Sequence, residues 1–357
     1  MRFIHTGDIH LGAAPDAGSP WSKERSDAIW NTFIRIIDMA EKYKVDLLLI
    51  AGDLFHRQPL RRELKELNYH FARLKRTRVV LIAGNHDYIR ENSPYPDYEW
   101  AKNVTFLSSA TMSSVYFADI QTEVHGFSYH HQEIREPLYD DCRAPSDGRI
   151  HILLGHGGDA HHIPIRMPAL AASGFNYVAL GHIHQPRIFK NTNIAYCGSP
   201  EPMDKTDLGR RGCILGEIKD KECRLSWRAL AETEYCIHEI PVTKDSTQSE
   251  ICDRILAEIS EHPKNIYRIR ITGFRDPDIY FDTEAIRELG RIVEVTDETE
   301  PDYDLEALTQ EHAHDLVAYY IKALSAEDAS PTQRKALYYG LRRKPRRQLP
   351  GKKRKES

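Results

Sequence analysis

Cysteine is scarce in this 357-residue chain: there are six cysteines, and no two of them stand in Cys-x-x-Cys spacing. This scatter argues against a zinc ribbon or a disulfide framework and favours reduced thiols. The sequence also lacks an apolar run long enough to span a bilayer. A secretory signal is not expected, because Asp8, part of a candidate site described below, lies where a signal would be cleaved off. We therefore expect a cytoplasmic protein without a membrane partner.

Acidic residues outnumber basic ones outside the C-terminal segment. The chain has a net charge of −4, but the segment Arg342–Lys355 carries nine basic residues and no acidic one, so the remainder has a net charge of −13. A mostly acidic body is not typical of a free-standing DNA-binding protein. Any attraction to a nucleic acid would have to come largely from metal ions, local patches, the tail or a partner.

The length suggests two or three domains. Residues 1–230 alternate between strand-like runs and amphipathic stretches such as 21–44, a pattern that predicts an α/β fold with helices outside two sheets packed face to face. Pro59 stands where a second helix is expected to begin.

Beyond residue 230 the pattern changes. Residues 231–299 read as strand, helix, strand, helix, strand, which predicts a small α+β domain. The acidic and Pro-containing stretch 296–304 reads as a linker. Two short helices, 305–324 and 331–341, form the rest of a segment 300–341, and a basic tail, 342–357, is expected to be disordered.

Four short polar segments carry the chemistry. Each follows an apolar run of strand character and includes a glycine. Because parallel strands end at one edge of a sheet, their side chains are expected to converge where an α/β protein holds its ligand. The segments are Gly7-Asp8-Ile9-His10, Gly52-Asp53, Gly84-Asn85-His86-Asp87 and Gly181-His182-Ile183-His184.

These residue types suit a pair of divalent cations. Two ions roughly 3.5–4 Å apart need one ligand that bridges them and separate ligands for each. Asp53 is the natural bridge, since a carboxylate can give one oxygen to each ion. The other donors form two sets, each completed by one histidine of the alternating pair His182 and His184. The sets are Asp8 with His10, and Asn85 with His156, which follows a further strand-like run at 150–154.

Oxygen and imidazole ligands without cysteine favour manganese, iron or zinc. His86 stands beside a ligand and is expected to meet the scissile phosphate as an acid or a phosphate stabiliser. His56 either faces the site from the loop after Asp53 or simply starts a helix, and the sequence favours neither reading. For two adjacent pairs we favour solvated loops: His161 with His162, and His130 with His131.

Taken singly, each segment would more often be an ordinary turn. Together, in this order and each after an apolar run, they resemble the calcineurin-like metallophosphoesterase superfamily, and within it the DNA repair exonuclease branch of SbcD-like and YhaO-like nucleases. The narrower likeness rests on 8–12, 52–56, 84–87 and 181–186, and on Tyr196-Cys197-Gly198-Ser199-Pro200-Glu201-Pro202. Phosphoprotein phosphatases of the superfamily usually carry Asp-Arg-Gly shortly after the bridging aspartate. Phe55-His56-Arg57 stands there instead.

The resemblance implies a metallophosphoesterase sandwich in which two divalent ions, manganese favoured, are held by seven residues. It implies that His86 is catalytic and that His56 assists exonuclease action. It further implies that 231–299 is a capping domain that positions DNA, and that 300–341 docks on a coiled-coil ABC-type ATPase. A homodimer is left open. The implied ligands are Asp8, His10, Asp53 and His184 for one ion and Asp53, Asn85, His156 and His182 for the other.

Three functions remain open. The first is a DNA exonuclease acting in double-strand-break repair with an ATPase, and the second is a phosphodiesterase or phosphatase for small molecules or phosphoproteins. The third is a binding protein with a vestigial site, which the complete ligand set disfavours. Arg57, Arg61 and Arg62 are weak candidates for DNA contacts, because a solvated helix face, interrupted by Glu63 and Glu66, is the slightly favoured explanation.

Overall fold

The computed structural model describes residues 1–326 and 329–342, which form two compact units. The first unit comprises Met1–Cys236 and Lys264–Ile266, and the second comprises Ile237–Pro263 and the described residues from Tyr267 onward. All six cysteines lie in the described part, and no disulfide joins them. No helix in this part is long and apolar enough to cross a membrane. The predicted tail, from residue 343 onward, lies outside the described part of the chain.

The first unit is built on twelve strands. They are β1 (Arg2–Thr6), β2 (Leu47–Ala51), β3 (Arg78–Ile82), β4 (Val104–Phe106), β5 (Ser113–Phe117), β6 (Thr122–Gly126), β7 (Ile150–His156), β8 (Tyr177–Gly181), β9 (Arg187–Ile188), β10 (Ile194–Tyr196), β11 (Gly212–Lys219) and β12 (Glu222–Ala229).

These strands form two six-stranded sheets. One has the order β12-β11-β1-β2-β3-β4 and the other the order β5-β6-β7-β8-β10-β9. The strands from β1 to β4 are parallel in the first sheet, as are β6, β7, β8 and β10 in the second. The two sheets pack on each other through one apolar cluster that includes Leu49 and Ala51 from β2, and Ile152 and Leu154 from β7. The predicted two-sheet α/β architecture is therefore confirmed.

Helices cover both outer faces. On the first sheet lie α1 (Ser22–Tyr43) and α2 (Arg61–Ala72), and their apolar faces bury Phe33 and Phe71 against the strands. A short helix, α3 (Met167–Ala171), lies on the second sheet and buries Leu170. The second helix begins two residues later than predicted. Leu60 remains extended before it, and its backbone amide donates to the Glu63 carboxylate at 2.8 Å.

The second unit contains a four-stranded sheet and five helices among its described residues. The sheet has the order β13-β14-β15, with β16 paired to β14. The elements are β13 (Tyr235–Val242), α4 (Gln248–Glu261), β14 (Ile266–Arg275), α5 (Thr283–Arg287), β15 (Ile292–Asp297), β16 (Glu300–Pro301), α6 (Leu305–Glu311), α7 (Leu316–Leu324) and α8 (Pro331–Arg342).

Two sequence expectations differ from this unit. The stretch 296–304 is not a free linker, because Glu300 and Pro301 pair with Phe274 and Arg275 of β14. The helix expected over 305–324 is broken at 312–315, where the Asp315 side chain accepts the Val317 amide and caps a new helix. An acidic, Pro-containing segment can thus form a short parallel strand pair as well as a loop.

Candidate metal centre

The polar segments leave their strands through tight backbone turns at one edge of the first unit. Asp8 follows β1 and Asp53 follows β2, and both have positive φ, 49° and 48°. His10 and His182 share this unusual conformation, at 53° and 92°. Such backbone is costly for non-glycine residues and persists where surrounding structure fixes it. Here it turns each side chain inward directly after its strand.

Two glycines make room for the convergence. A β-carbon on Gly52, whose φ is 82°, would come within 2.5 Å of His156 Nδ1. A β-carbon on Gly84 would collide with the Asp53 carboxylate. The glycine beside each polar residue therefore lets the backbone of one segment approach the side chain of another.

Asp8, His10 and His184 form the first group. One ligand atom from each lies within 4.8 Å of the others. Nε2 of His10 lies 3.2 Å from Nε2 of His184 and 3.9 Å from Oδ2 of Asp53. Nδ1 of His10 is buried and, within the described part of the chain, has no hydrogen-bond partner. This half of the centre thus collects imidazole nitrogens and a carboxylate in a buried space.

Asn85, His156 and His182 form the second group. Oδ1 of Asn85 lies 2.9 Å from Nε2 of His156 and 3.1 Å from Nδ1 of His182. Oδ2 of Asp53 is 3.4 Å from the same nitrogen of His156. Asp53 therefore lies between the two groups.

Oxygen acceptors on the far side of three rings determine which nitrogen faces the centre. His182 donates from Nε2 to Asp159 at 2.7 Å, and His184 donates from Nδ1 to Asp207 at 3.1 Å. His156 donates from Nδ1 to the Ala51 carbonyl at 2.8 Å. Since a carboxylate or carbonyl oxygen only accepts, the opposite nitrogen of each ring has its lone pair directed inward when that ring is neutral. This is the usual support of a metal-bound histidine.

Burial and charge set the protonation states. Burial alone would raise the pKa of Asp53, but the charge and hydrogen bond of His156 hold it well below its usual range. Burial would conversely lower the pKa of His156, but Asp53 raises it to about 9. Burial, together with the nearby charge of His156, lowers the pKa of His182 to about 4. An ionised Asp53 and a neutral His182 are the forms that bind a metal.

His86 and His56 line the open side of the centre. The His86 ring lies 4.7 Å from the His10 ring and stacks on the His56 ring at 5.0 Å between centroids. Nδ1 of His86 donates to the His56 carbonyl at 3.1 Å, so Nε2 is the nitrogen available to a ligand. Both histidines line a cleft of about 300 Å³ together with His184. Of the two readings of His56, the geometry supports the one that faces the site.

Sequence reasoning gave no role to three carboxylates. Asp159 and Asp207 hold His182 and His184, and Asp87 accepts the amides of Gly84 at 2.8 Å and of Phe55 at 3.2 Å. Asp159 stands three residues after His156 and could have been noticed. Asp207 has no sequence signal, because it comes from a loop 23 residues beyond the histidine that it contacts.

The remaining candidate residues fall outside the centre. His162 is an exception to the predicted solvated pair, because its ring lies 4.6 Å from the His182 ring and its Nδ1 contacts Asp159. His161 and His131 are exposed, and His130 is part-buried and donates to a backbone carbonyl. Arg57 pairs with Glu63 at 2.7 Å. The last two candidates, Arg61 and Arg62, are exposed in the first turn of α2.

The donor set fits two divalent cations. Carboxylate and amide oxygens mixed with imidazole nitrogens suit manganese, iron or zinc, and the set contains no thiolate. Nε2 of His10 and Nε2 of His184 face each other 3.2 Å apart, and a coordinating ion would organise these two nitrogens.

Comparison with known proteins agrees with this geometry. The family model described as calcineurin-like phosphoesterase matches residues 1–186. The metallophosphoesterase YhaO of Bacillus subtilis is 29% identical over 239 residues, 61% of this chain and 57% of that protein. The DNA double-strand break repair protein Mre11 of Methanopyrus kandleri is 26% identical over 350 residues, 87% of this chain and 76% of that protein. The SbcD component of the Escherichia coli nuclease SbcCD is 24% identical over 256 residues, 59% of this chain and 63% of that protein.

Proposed function

The chain belongs to the calcineurin-like phosphoesterase family, and we propose that it is a metal-dependent DNA nuclease. Its specific role would be that of an exonuclease in double-strand-break repair, working with an ABC-type ATPase. The observation that carries the chemistry is the position of Asp53 between two groups of imidazole and oxygen donors. A carboxylate so placed can bridge two ions.

Seven residues would hold the ions, of which we favour manganese. Bound there, two divalent cations would lower the pKa of an attacking water and neutralise charge that develops on the phosphate. Asp159 and Asp207 would keep the rings of His182 and His184 in the ligating orientation. The proposed ligands are Asp8, His10 and His184 for one ion, Asn85, His156 and His182 for the other, and Asp53 for both.

His86 would act on the substrate itself. Its Nδ1 is held by the His56 carbonyl and its ring packs against His10 and His56. When the ring is protonated on both nitrogens, Nε2 is positioned to donate its proton to a phosphate oxygen or to the leaving sugar oxygen. His56 would keep the His86 ring in place and border the path of the nucleic acid.

Two further observations favour a nuclease over a phosphatase. The segment after Asp53 reads Phe55-His56-Arg57, not the Asp-Arg-Gly that phosphoprotein phosphatases usually carry. Two of the relatives are named as a DNA break repair protein and as part of a nuclease. Because the chain spans only 57% and 63% of two of these relatives, their substrates and partners enter as proposals for this protein.

The ATPase partnership rests on the helices at the end of the second unit. Leu316 and Tyr319 of α7 are 84% and 71% exposed, and Tyr339 of α8 is 64% exposed. Large apolar side chains exposed together commonly mark a docking surface. One relative is named as one component of its nuclease, which also supports a partner.

The test is hydrolysis by the purified chain with added manganese. Labelled single-stranded DNA, double-stranded DNA and a simple phosphodiester would be compared, with Asp53→Ala protein as the control. We expect DNA to be cleaved in preference to the simple phosphodiester, and the control to be inactive. Efficient turnover of small phosphoesters with intact DNA would instead support a phosphodiesterase or phosphatase.

A further inference from the structure

A second cluster of metal-ligating side chains lies on the outer face of the second sheet. Glu123 and His125 alternate on β6, so they share one face, and His151 on β7 is paired in register with Glu123. Val124, which lies between Glu123 and His125, and Ile152, which follows His151, face the other way, into the core between the sheets. On β7, His151 lies five residues, or roughly 16 Å of strand, from His156. The cluster is therefore separate from the strand-end centre.

The three ligand atoms have the spacing of a metal site. Nε2 of His125 is 3.0 Å from Nδ1 of His151, and that nitrogen is 3.9 Å from Oε2 of Glu123. All three atoms lie within 4.8 Å of one another. Nitrogens at about 2.05 Å from a tetrahedral zinc ion lie roughly 3.3 Å apart. To accommodate the ion, the two nitrogens would separate by about 0.3 Å and the Glu123 oxygen would move about 0.6 Å closer to His151.

The orientation of His151 is already fixed. Its Nε2 donates to Asp147 at 2.8 Å, which leaves the lone pair of Nδ1 directed at His125. A carboxylate that accepts the far N–H of a ligating histidine is the usual support of a zinc ligand. The His125 ring is buried against Phe175, with 5.5 Å between ring centroids.

One competing cation lies beside the cluster. Arg149 donates to Oε2 of Glu123 at 3.2 Å, while its guanidinium also lies 3.3 Å from Asp147 and 4.3 Å from the Tyr116 ring centroid. A metal ion would take over the Glu123 oxygen, and Arg149 would keep its contacts with Asp147 and Tyr116. Arg149 thus limits the affinity of the site without blocking it.

We propose that Glu123, His125 and His151 bind one Zn²⁺, with water in the fourth position. Two imidazoles and one carboxylate are a ligand set that zinc accepts readily. The ion would join β6 to β7 on the face away from the sheet-to-sheet core. This site does not depend on the proposed nuclease activity.

The test is a titration of the metal-stripped full-length chain with Zn²⁺ alone. Two proteins are compared. The first carries Asp53→Ala, which reduces binding at the strand-end centre, and the second carries both Asp53→Ala and His125→Gln. Calorimetry and elemental analysis after gel filtration give the stoichiometry. We expect one more zinc per chain without His125→Gln than with it. Because the readout is this difference, it holds whether or not Asp53→Ala empties the other centre.

Further variants make the assignment specific. Asp147→Asn should weaken zinc binding by about 10–100-fold, the usual effect of losing such a support. Arg149→Gln should strengthen it, because the competing cation is gone. His131→Ala, which removes an exposed histidine outside the cluster, should change nothing. Equal zinc binding with and without His125→Gln would overturn the proposal. If His125→Gln protein does not fold, a zinc affinity that Arg149→Gln leaves unchanged would overturn the proposal instead.

Discussion

His182 and His184 stand two residues apart in one loop, yet they present different nitrogens to the centre. Asp159 holds Nε2 of the first ring and Asp207 holds Nδ1 of the second. His182 therefore directs Nδ1 at Asn85, and His184 directs Nε2 at His10. The tautomer of each ring is set by a carboxylate that the histidine motif does not contain.

The roles of Asp53 and His86 can be separated by comparing metal content with turnover. Asp53→Ala should lose both ions, because the Asp53 carboxylate lies near ligand atoms of both donor groups, at 3.9 Å from His10 and 3.4 Å from His156. His86→Ala should keep both ions and lose hydrolysis, because its ring lines the open cleft. Elemental analysis beside the nuclease rate distinguishes the two. Metal loss in His86→Ala protein as complete as in Asp53→Ala protein would place His86 among the ligands.

Asp159→Asn tests the support of His182. The amide can present its NH₂ group to Nε2 and so favour the wrong tautomer. We expect metal affinity at that position to fall by about 10–100-fold, with the fold unchanged. The matched control is Asp141→Asn. It makes the same chemical change at an exposed aspartate, which follows the buried Asp140 in the sequence. Equal manganese affinity in the two variants would remove Asp159 from the centre.

His5 gives a pH dependence of stability that does not involve the metal ligands. It is fully buried on β1, its Nδ1 lies 2.8 Å from the Tyr177 hydroxyl, and burial lowers its pKa to about 3. The unfolded chain protonates this histidine below about pH 6.5, whereas the folded chain does not. The free energy of unfolding therefore falls as the pH falls from about 6.5 to about 3.

His5→Leu should make the free energy of unfolding less dependent on pH, reducing its slope by up to about 1.4 kcal/mol per pH unit. Tyr177→Phe, which keeps the buried imidazole, should retain the wild-type slope. Urea unfolding of metal-stripped protein at several pH values between 4 and 7 gives the slopes. Parallel curves for His5→Leu and wild type would show that His5 does not cause the slope.

At the scale of elements, the terminal helices divide their apolar residues between an internal cluster and an exposed face. Ile321, Leu337 and Leu341 pack together between α7 and α8. Leu316 and Tyr319, on α7, remain exposed. The apolar residues of these helices therefore form both a small core and a candidate docking surface.

Substitutions on α7 separate these two parts. Leu316→Lys combined with Tyr319→Lys should abolish co-purification with the proposed coiled-coil ATPase and leave the melting temperature nearly unchanged, because both side chains are exposed. Ile321→Ala should instead destabilise the helices by about 2–5 kcal/mol. Metal-dependent cleavage of single-stranded DNA should persist in the double variant. Unchanged co-purification in the double variant would remove this face as the docking surface.

At the scale of the whole molecule, charge is separated along the chain. Arg342–Lys355 carries nine basic residues, and the rest of the chain has a net charge of −13. Within the body, several arginines around α2 already pair with carboxylates: Arg57 with Glu63, Arg73 with Asp38, and Arg76 with Asp46. This pairing favours the solvated reading of that region and leaves the tail as the stronger candidate for phosphate contacts.

Removing the residues after Leu341 tests this reading. DNA binding should weaken mainly at low salt, and the salt dependence of the binding constant should become shallower, because fewer phosphates are neutralised. Hydrolysis of a simple phosphodiester should be unchanged. Binding titrations over a range of salt concentrations measure the slope. The same slope in full-length and truncated protein would assign the tail to another partner.

The sequence by itself was sufficient for the strands that lead into the centre. Apolar runs bounded by glycine and polar residues predicted β1, β2, β3, β7 and β8, because burial on both faces of a parallel sheet demands continuous hydrophobic residues. Shorter or half-exposed strands such as β4 and β5 gave no such signal. The family motifs, each local to one strand end, were readable for the same reason.

Only the tertiary structure decided which groups support those motifs. Asp207 reaches His184 from a separate loop, and Asp147, before β7, fixes His151 opposite His125 on β6. The sequence determined the local conformation and the donor atoms, because strand patterns and motif chemistry depend on neighbouring residues. Tautomers, carboxylate supports and the zinc cluster depend on contacts between distant segments, which only the packing of the two sheets brings together.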